Sequence, residues 1–185
     1  PLTGCSLLLY YTVFPDKDII TRFFALINNG AQPVKIEKAM SLTLDIETGD
    51  FDYIILHGKH AKERHFQREH VGYGMQGICS RRGASSHQFN PFMAVCGHDA
   101  DEDSGLAFGF NLVYSGNFLN EIEKDPDGRV RIQTGLGEEN FGYLLQPGKR
   151  FCAPEAVMTC SAHGLNGMLV NFHRFIKENI LPEGF

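Results

Sequence analysis

Apolar residues fall along most of the chain in short runs separated by turn-forming residues, a spacing that predicts many β-strands. Residues 6–14, rich in Leu, Tyr, Thr and Val, predict a strand with much of both faces buried. Residues 19–27 predict a second strand, closed by Asn28-Asn29-Gly30, which tolerate positive φ. Residues 34–44 predict a third, with Ile36, Lys38, Met40, Leu42 and Leu44 on one side. Lys38 interrupts the alternation and leaves the register of that strand open. Phe51, Tyr53 and Ile55 alternate with their neighbours and predict a further strand, as do residues 106–114, 119–124, 129–134, 141–145 and the segment from 151 onward.

Turn chemistry agrees with this division. Pro15-Asp16-Lys17-Asp18, Asp125-Pro126-Asp127-Gly128 and Gln146-Pro147-Gly148 each combine residues that preset φ or permit its reversal. The expected architecture is mainly β, an antiparallel β-sandwich. The period changes only at the carboxy-terminal end. There Leu165, Met168, Leu169, Phe172, Phe175 and Ile176 recur at helical spacing and predict an amphipathic helix over 167–179, stopped by Leu181-Pro182.

Composition narrows the function classes. The 185 residues suffice for one large domain, carry a net charge of −5, and contain no block of like charge that would suit nucleic acid or an anionic membrane surface. No apolar stretch reaches the length of a bilayer span. Cys5, Cys79, Cys96, Cys152 and Cys160 are odd in number and not closely paired, so reduced thiols and a cytoplasmic location are expected. The chain opens on Pro1 and soon enters an apolar run, as a piece of a longer polypeptide would.

The densest polar stretch, Ser-Arg-Arg-Gly-Ala-Ser-Ser-His-Gln-Phe-Asn-Pro-Phe over 80–92, is the first candidate for chemistry. Arg81 and Arg82 offer forked donors for carboxylates or carbonyls, and the pair Asn90-Pro91 marks a turn before the apolar run from Phe92. Ser85, Ser86 and His87 suggest nucleophile chemistry at first sight. Neighbours on an extended chain point to opposite faces, and no Gly-x-Ser-x-Gly elbow exposes a serine. A hydrogen-bonded structural corner is therefore the preferred reading. His57, His60, His65 and His70 raise a metal site, but no cysteine or carboxylate completes a standard spacing, and a polar rim with Lys59, Lys62, Glu63 and Arg64 is simpler. Residues 98–105 resemble the start of a calcium loop, yet the glycine comes one place late and Phe110 stands where the closing glutamate belongs, so an acidic turn is expected. Glu139 and Glu155 are possible acids, but nothing in the sequence sets two carboxyls face to face across a sugar.

The same stretch carries a resemblance. Residues 80–92, followed by Gly109-Phe110-Asn111-Leu112-Val113-Tyr114-Ser115-Gly116-Asn117-Phe118, resemble the amino-terminal β-domain of bacterial α-galactosidases of glycoside hydrolase family 36. Ile19-Ile20-Thr21-Arg22, Lys62-Glu63-Arg64, Leu145-Gln146-Pro147-Gly148, Ala153-Pro154-Glu155 and Gly164-Leu165-Asn166-Gly167 extend the match in family order over almost the whole chain. The resemblance implies a supersandwich of the galactose-mutarotase-like kind over 1–164 and a linker helix over 165–185. That helix would lead to a (β/α)8 catalytic barrel, with Gly184-Phe185 just before its first strand. It implies a parent enzyme that hydrolyses terminal α-galactosyl residues of melibiose- or raffinose-type sugars with retention, needs no cofactor or metal here, and forms a homo-oligomer, a tetramer in relatives.

The family's nucleophile and acid/base are aspartates of the barrel, so no catalytic residue is assigned within these residues. The loop matching 56–64 reaches toward the barrel mouth in the family, and some members place a sugar-contacting tryptophan where His60 stands. His60 is thus the candidate substrate-binding residue, able to hydrogen-bond a sugar hydroxyl. The competing class is a free-standing carbohydrate-binding or structural interaction sandwich. The absence of tryptophan weighs against the binding module, while Tyr53, Tyr73 and Tyr143 remain as candidate stacking platforms.

Overall fold

A computed structural model describes residues 4–47, 49–139 and 141–182. Among them, fourteen strands precede one helix. The strands are β1 (Cys5–Phe14), β2 (Ile19–Asn28), β3 (Val34–Ile36), β4 (Ala39–Ile46), β5 (Phe51–Lys59), β6 (Lys62–His70) and β7 (Gly74–Ser80). They continue with β8 (Phe89–Gly97), β9 (Ala107–Val113), β10 (Phe118–Lys124), β11 (Val130–Leu136), β12 (Tyr143–Leu145), β13 (Arg150–Cys152) and β14 (Glu155–Ser161). The helix α1 spans Gly164–Phe175 and runs on as a wider π turn, Ile176–Ile180, before Leu181 returns to extended backbone.

The large sheet has the order β1-β2-β14-β9-β8-β5-β6, with β13 also on β2, and the facing sheet has the order β4-β11-β10-β7. A short pair, β12-β3, closes one side. Pairing between these strands is antiparallel throughout. The expected antiparallel sandwich is therefore present. Its main core lies between the sheets, where Leu42, Met93, Val95, Phe110, Ile122 and Ile132 are almost wholly buried. A second core lies on the outer face of the large sheet. There Leu165, Met168, Phe172 and Phe175 of α1 cover Ile19, Ile54, Ala94, Ala107 and Val157. Helical spacing in the sequence thus corresponds to a buried stripe, as amphipathic packing requires, except that Leu169, expected on it, is exposed. The observed helix starts three residues before the expected one.

The turn at 125–128 forms as its residues dictate. Asp125 accepts the Gly128 N–H at 2.9 Å, Gly128 takes φ +85°, and β10 and β11 run back from it in register. Val130 and Ile132 share the buried face.

Several expectations are corrected. The segment 34–44 is two strands in different sheets: β3 pairs with β12, and β4 pairs with β11. Lys38 lies at the break, where its ammonium reaches the buried Glu121 carboxylate at 2.6 Å. An ion pair with a buried carboxylate explains a lysine in an otherwise apolar run. Residues 6–14 do not bury both faces. Leu7, Leu9, Tyr11 and Val13 of the edge strand β1 are each about half exposed or more. Asn90-Pro91 is not a turn between elements but lies within β8, where the ladder to β5 skips from Met93 opposite Ile55 to Phe89 opposite His57. A proline, lacking an N–H, is accommodated at such an irregularity. Gly184-Phe185, expected to precede a barrel strand, lie outside the described residues.

Candidate functional site

The loop expected over 56–64 is the tip of the β5-β6 hairpin, turned through His60-Ala61 with Ala61 at φ +61°. Lys59 pairs with Lys62 and His57 with His65, so β6 carries one extra residue near Arg64, which takes φ +54°. Such a bulge twists and re-aims the tip. Gly58 anchors the turn. Its N–H donates to the Gln88 carbonyl at 3.0 Å, and a Cβ there would lie 2.3 Å from the Lys62 carbonyl oxygen. The tip thus stands on the polar loop 81–88. His60, Lys59 and Lys62 are exposed around it, and the His57 and His65 rings meet edge to face at 5.4 Å.

The polar loop is a hydrogen-bonded corner. The Ser80 hydroxyl donates to the Ala84 carbonyl at 2.5 Å, the Ser85 N–H to the Ser115 carbonyl at 2.9 Å, and the Gly83 N–H to Asn117 Oδ1 at 2.6 Å. Ser86 Oγ accepts the Gln88 N–H at 3.1 Å. These serines are occupied in holding backbone, as a structural reading requires. Arg81 turns away from the hairpin and pairs with Glu139 at 2.5 Å across the rim of a cavity of about 330 Å³. Lys38, Ser80, Glu121 and Phe141 line the same cavity. Glu155 opens β14 in the large sheet, paired opposite Val113.

The four histidines do not gather. His57 and His65 face each other, His60 caps the hairpin, and His70 joins Asp52 and His98 at the other end of the β5-β6 ladder. Both imidazoles bring Nδ1 to Asp52 Oδ1, His98 at 2.9 Å and His70 at 3.3 Å, while Arg68 Nε holds Asp52 Oδ2 at 2.7 Å. Burial alone would raise the Asp52 carboxyl, but hydrogen bonds from His98, Arg68 and His70 outweigh it and hold it below the ordinary carboxylate range. The hydrogen bond to Asp52 holds the His98 imidazole above its ordinary value. Sequence reading missed this group because its members lie far apart in the chain. Even with β6 recognised as a strand, the register set by Lys59 opposite Lys62 would put Asp52 opposite Glu69, and only the extra residue near Arg64 brings His70 into that place.

The expected calcium-like segment is an acidic turn, and it serves α1. Asp101 Oδ1 accepts the Asp103 and Ser104 N–H groups at 2.8 and 2.7 Å. The carbonyls of Asp101 and Glu102 accept the Leu165 and Asn166 N–H groups at 3.0 and 2.8 Å. Donors of the first helical turn, otherwise unpaired, are thereby satisfied.

The three candidate tyrosine platforms are scattered. Tyr53 is buried, with its hydroxyl donating to Glu69 at 3.3 Å; Tyr73 lies beneath the Lys124 ammonium; Tyr143 packs on Phe151. They make no common sugar-stacking surface.

A family model, the glycosyl hydrolase family 36 N-terminal domain, matches residues 1–146. Alpha-galactosidase Mel36A of Lactobacillus acidophilus is 43% identical over 96% of this chain, which spans 24% of that protein. Alpha-galactosidase AgaA of Geobacillus stearothermophilus is 41% identical over 100% of this chain, which spans 25% of that protein. Among solved structures, a variant of AgaA in complex with raffinose superposes with a TM-score of 0.93 at 42% identity, covering 96% of this chain and 25% of that one. The galactosidase domain of the alpha-galactosidase–sucrose kinase AgaSK also superposes with a TM-score of 0.93, at 39% identity over 95% of this chain and 24% of its own. The chain therefore spans about a quarter of the length of the relatives it matches.

Proposed function

The chain belongs to glycosyl hydrolase family 36, whose N-terminal domain it matches, and from that footing we propose that it is the scaffold domain of an α-galactosidase. Its work is to pack against a catalytic barrel and shape the mouth of the active site. The parent activity in this reading is hydrolysis of terminal α-galactosyl residues of melibiose- or raffinose-type sugars, with retention. The carrying observation is the alignment itself: nearly the whole chain matches, yet it corresponds to only a quarter of each α-galactosidase. The division is a sandwich over 1–164 and a linker over 165–185, whose helix packs on the sandwich through Leu165, Met168, Phe172 and Phe175.

His60 is the residue of this chain proposed to touch sugar. Its exposure at the tip of a hairpin fixed by Gly58 supports that role, since a rigid tip holds a donor in place at small entropic cost. The partly exposed apolar row Leu7, Leu9, Tyr11 and Val13 on β1 supports a contact with another domain or subunit, in keeping with a homo-oligomer. No helix among the described residues is long and apolar enough to cross a membrane. A cytoplasmic location is proposed on the unbridged thiols of Cys79, Cys96, Cys152 and Cys160.

Two measurements test the reading. The purified chain is expected to release no chromophore from a nitrophenyl α-galactoside, because this reading places the nucleophile and the acid/base on the catalytic barrel and not among these residues. Turnover by the pure chain would overturn the scaffold assignment. In the full-length enzyme, His60→Ala is expected to raise KM for raffinose several-fold with kcat little changed, the mark of binding lost equally from ground and transition states. An unchanged KM removes His60 from the site.

A further inference from the structure

We propose that Asp52, His70 and His98 form a binding site for one divalent transition-metal ion of the zinc class. Three strands build it. Asp52 on β5 stands directly opposite His70 on β6, and on its other side opposite Cys96 on β8. Two residues beyond Cys96 the chain turns back, and the His98 N–H donates to the Asp50 carbonyl at 3.0 Å. That bond places the His98 ring over the same carboxylate oxygen that His70 addresses. One ligand atom from each residue lies within 4.8 Å of the other two. The short edges, 2.9 and 3.3 Å to Asp52 Oδ1, are close to the separation of about 3.3 Å between donors around a tetrahedral zinc.

The surroundings support ligation rather than a simple latch. A metal-binding imidazole commonly gives its second nitrogen to a carboxylate, which fixes the ring. His70 has a carboxylate within reach for this, Asp50 Oδ1 lying 3.5 Å from Nε2, an ion-pair distance that a small closure would turn into a hydrogen bond. Arg68 provides the outer support for the other two ligands. Its Nε holds Asp52 Oδ2, Nη1 donates to the Ala100 carbonyl at 2.7 Å, and Nη2 donates to the carbonyls of Gly97 and His98 at 3.2 and 2.9 Å. One guanidinium thus fixes both the carboxylate and the turn that carries His98. It also leaves Oδ1 as the oxygen turned to the histidines. Asp50 and Asp52 together outweigh its charge, so a cation meets a net negative site. Two imidazoles and a carboxylate select zinc, cobalt, nickel or copper over calcium or magnesium, which prefer oxygen alone. Both rings are about half exposed, so an ion enters from solvent and water can complete its coordination.

The test is titration of the purified protein with zinc chloride, thiols alkylated beforehand, followed by calorimetry and by histidine-ring NMR. One ion per chain is expected, with ring resonances of His70 and His98 shifted. His70→Gln and His98→Gln are each expected to weaken binding about tenfold or more, while His57→Gln and His65→Gln leave it unchanged. Because His70 and His98 are exposed, the variants should stay folded. Should either unfold, the ring shifts in the unaltered protein decide alone. No binding, binding that survives both His70→Gln and His98→Gln, or zinc shifts confined to His57 and His65 would each overturn the site.

Discussion

Phe110→Ala is expected to lower the stability of the protein by about 3–5 kcal/mol, read as a reduced urea midpoint with an unchanged slope. Phe110 is 1% exposed and sits on β9, in the interior of the large sheet. Met93 of β8 and Met158 of β14 are its partners on either side, and it packs in the same core as Ile122 and Ile132 of the facing sheet. A cavity costs most where its walls cannot collapse. Hydrogen-bonded ladders on both sides hold β9 in place, so the backbone cannot follow the lost ring. The two methionines are flexible and set the lower end of the range. The same truncation at Leu9, on the exposed edge strand β1, is expected to cost well under 1 kcal/mol, because little apolar surface is removed from water there. A loss below about 1 kcal/mol at Phe110 would show that the sheets do not pack through it.

The contrast between Phe110 and Leu9 marks what the sequence could and could not reveal. Both stand in apolar runs that read as strands, and both are strands. Which run is buried depends on neighbours brought from elsewhere. β9 lies between two strands, whereas among the described residues β1 pairs only with β2. Local chemistry was sufficient where the cause is local. The Asp125-Pro126-Asp127-Gly128 turn, the helical stripe from Leu165 to Phe175 and the stop at Leu181-Pro182 all follow from residues within one or two turns of chain. β6 escaped notice because Lys-Glu-Arg-His-Phe-Gln-Arg-Glu-His has no apolar alternation. It is an outer strand, held by its ladder to β5 rather than by a buried face. The split of residues 34–44 into β3 and β4 rests on Lys38 meeting Glu121, 83 residues away.

The candidate site divides in the same way. The family motifs located the hairpin and its histidine, but not the hairpin's support. Gly58 is legible as a glycine and not as the point where the tip meets Gln88. Asp52, His70 and His98 become a group only after three strands are set side by side. Proximity in sequence sets His70 with His57, His60 and His65, whereas the strands set it with Asp52 and His98.

Gly164→Ala is the second substitution expected to cost about 3 kcal/mol or more, and the way it does so bears on how the domain would communicate with whatever follows α1. Gly164 opens the helix at φ +61°, a left-handed conformation that costs an alanine about 1–2 kcal/mol by itself. An added Cβ would also lie 2.5 Å from the Asp101 carbonyl oxygen, 2.6 Å from the Ser104 nitrogen and 2.7 Å from the Asp103 nitrogen. All three are backbone atoms of the acidic turn, so no side chain can swing aside. Either the helix start or the turn must move. Among the described residues no side chain caps the helix, and the carbonyls of Gly105, Asp101 and Glu102 accept the N–H groups of Gly164, Leu165 and Asn166. Displacement therefore strips those bonds at about 1 kcal/mol or more each. It also lifts Leu165 and Met168 from Ala94 and Ala107. Gly83→Ala separates the two causes. Gly83 has φ +84° with open space where the Cβ would stand, so it should carry the backbone cost alone, about 1–2 kcal/mol. Thermal unfolding of the two variants side by side gives the difference. If Gly164→Ala costs no more than Gly83→Ala, the acidic turn does not hold the helix in place, and the orientation of α1 on the sandwich must be set by its apolar face alone.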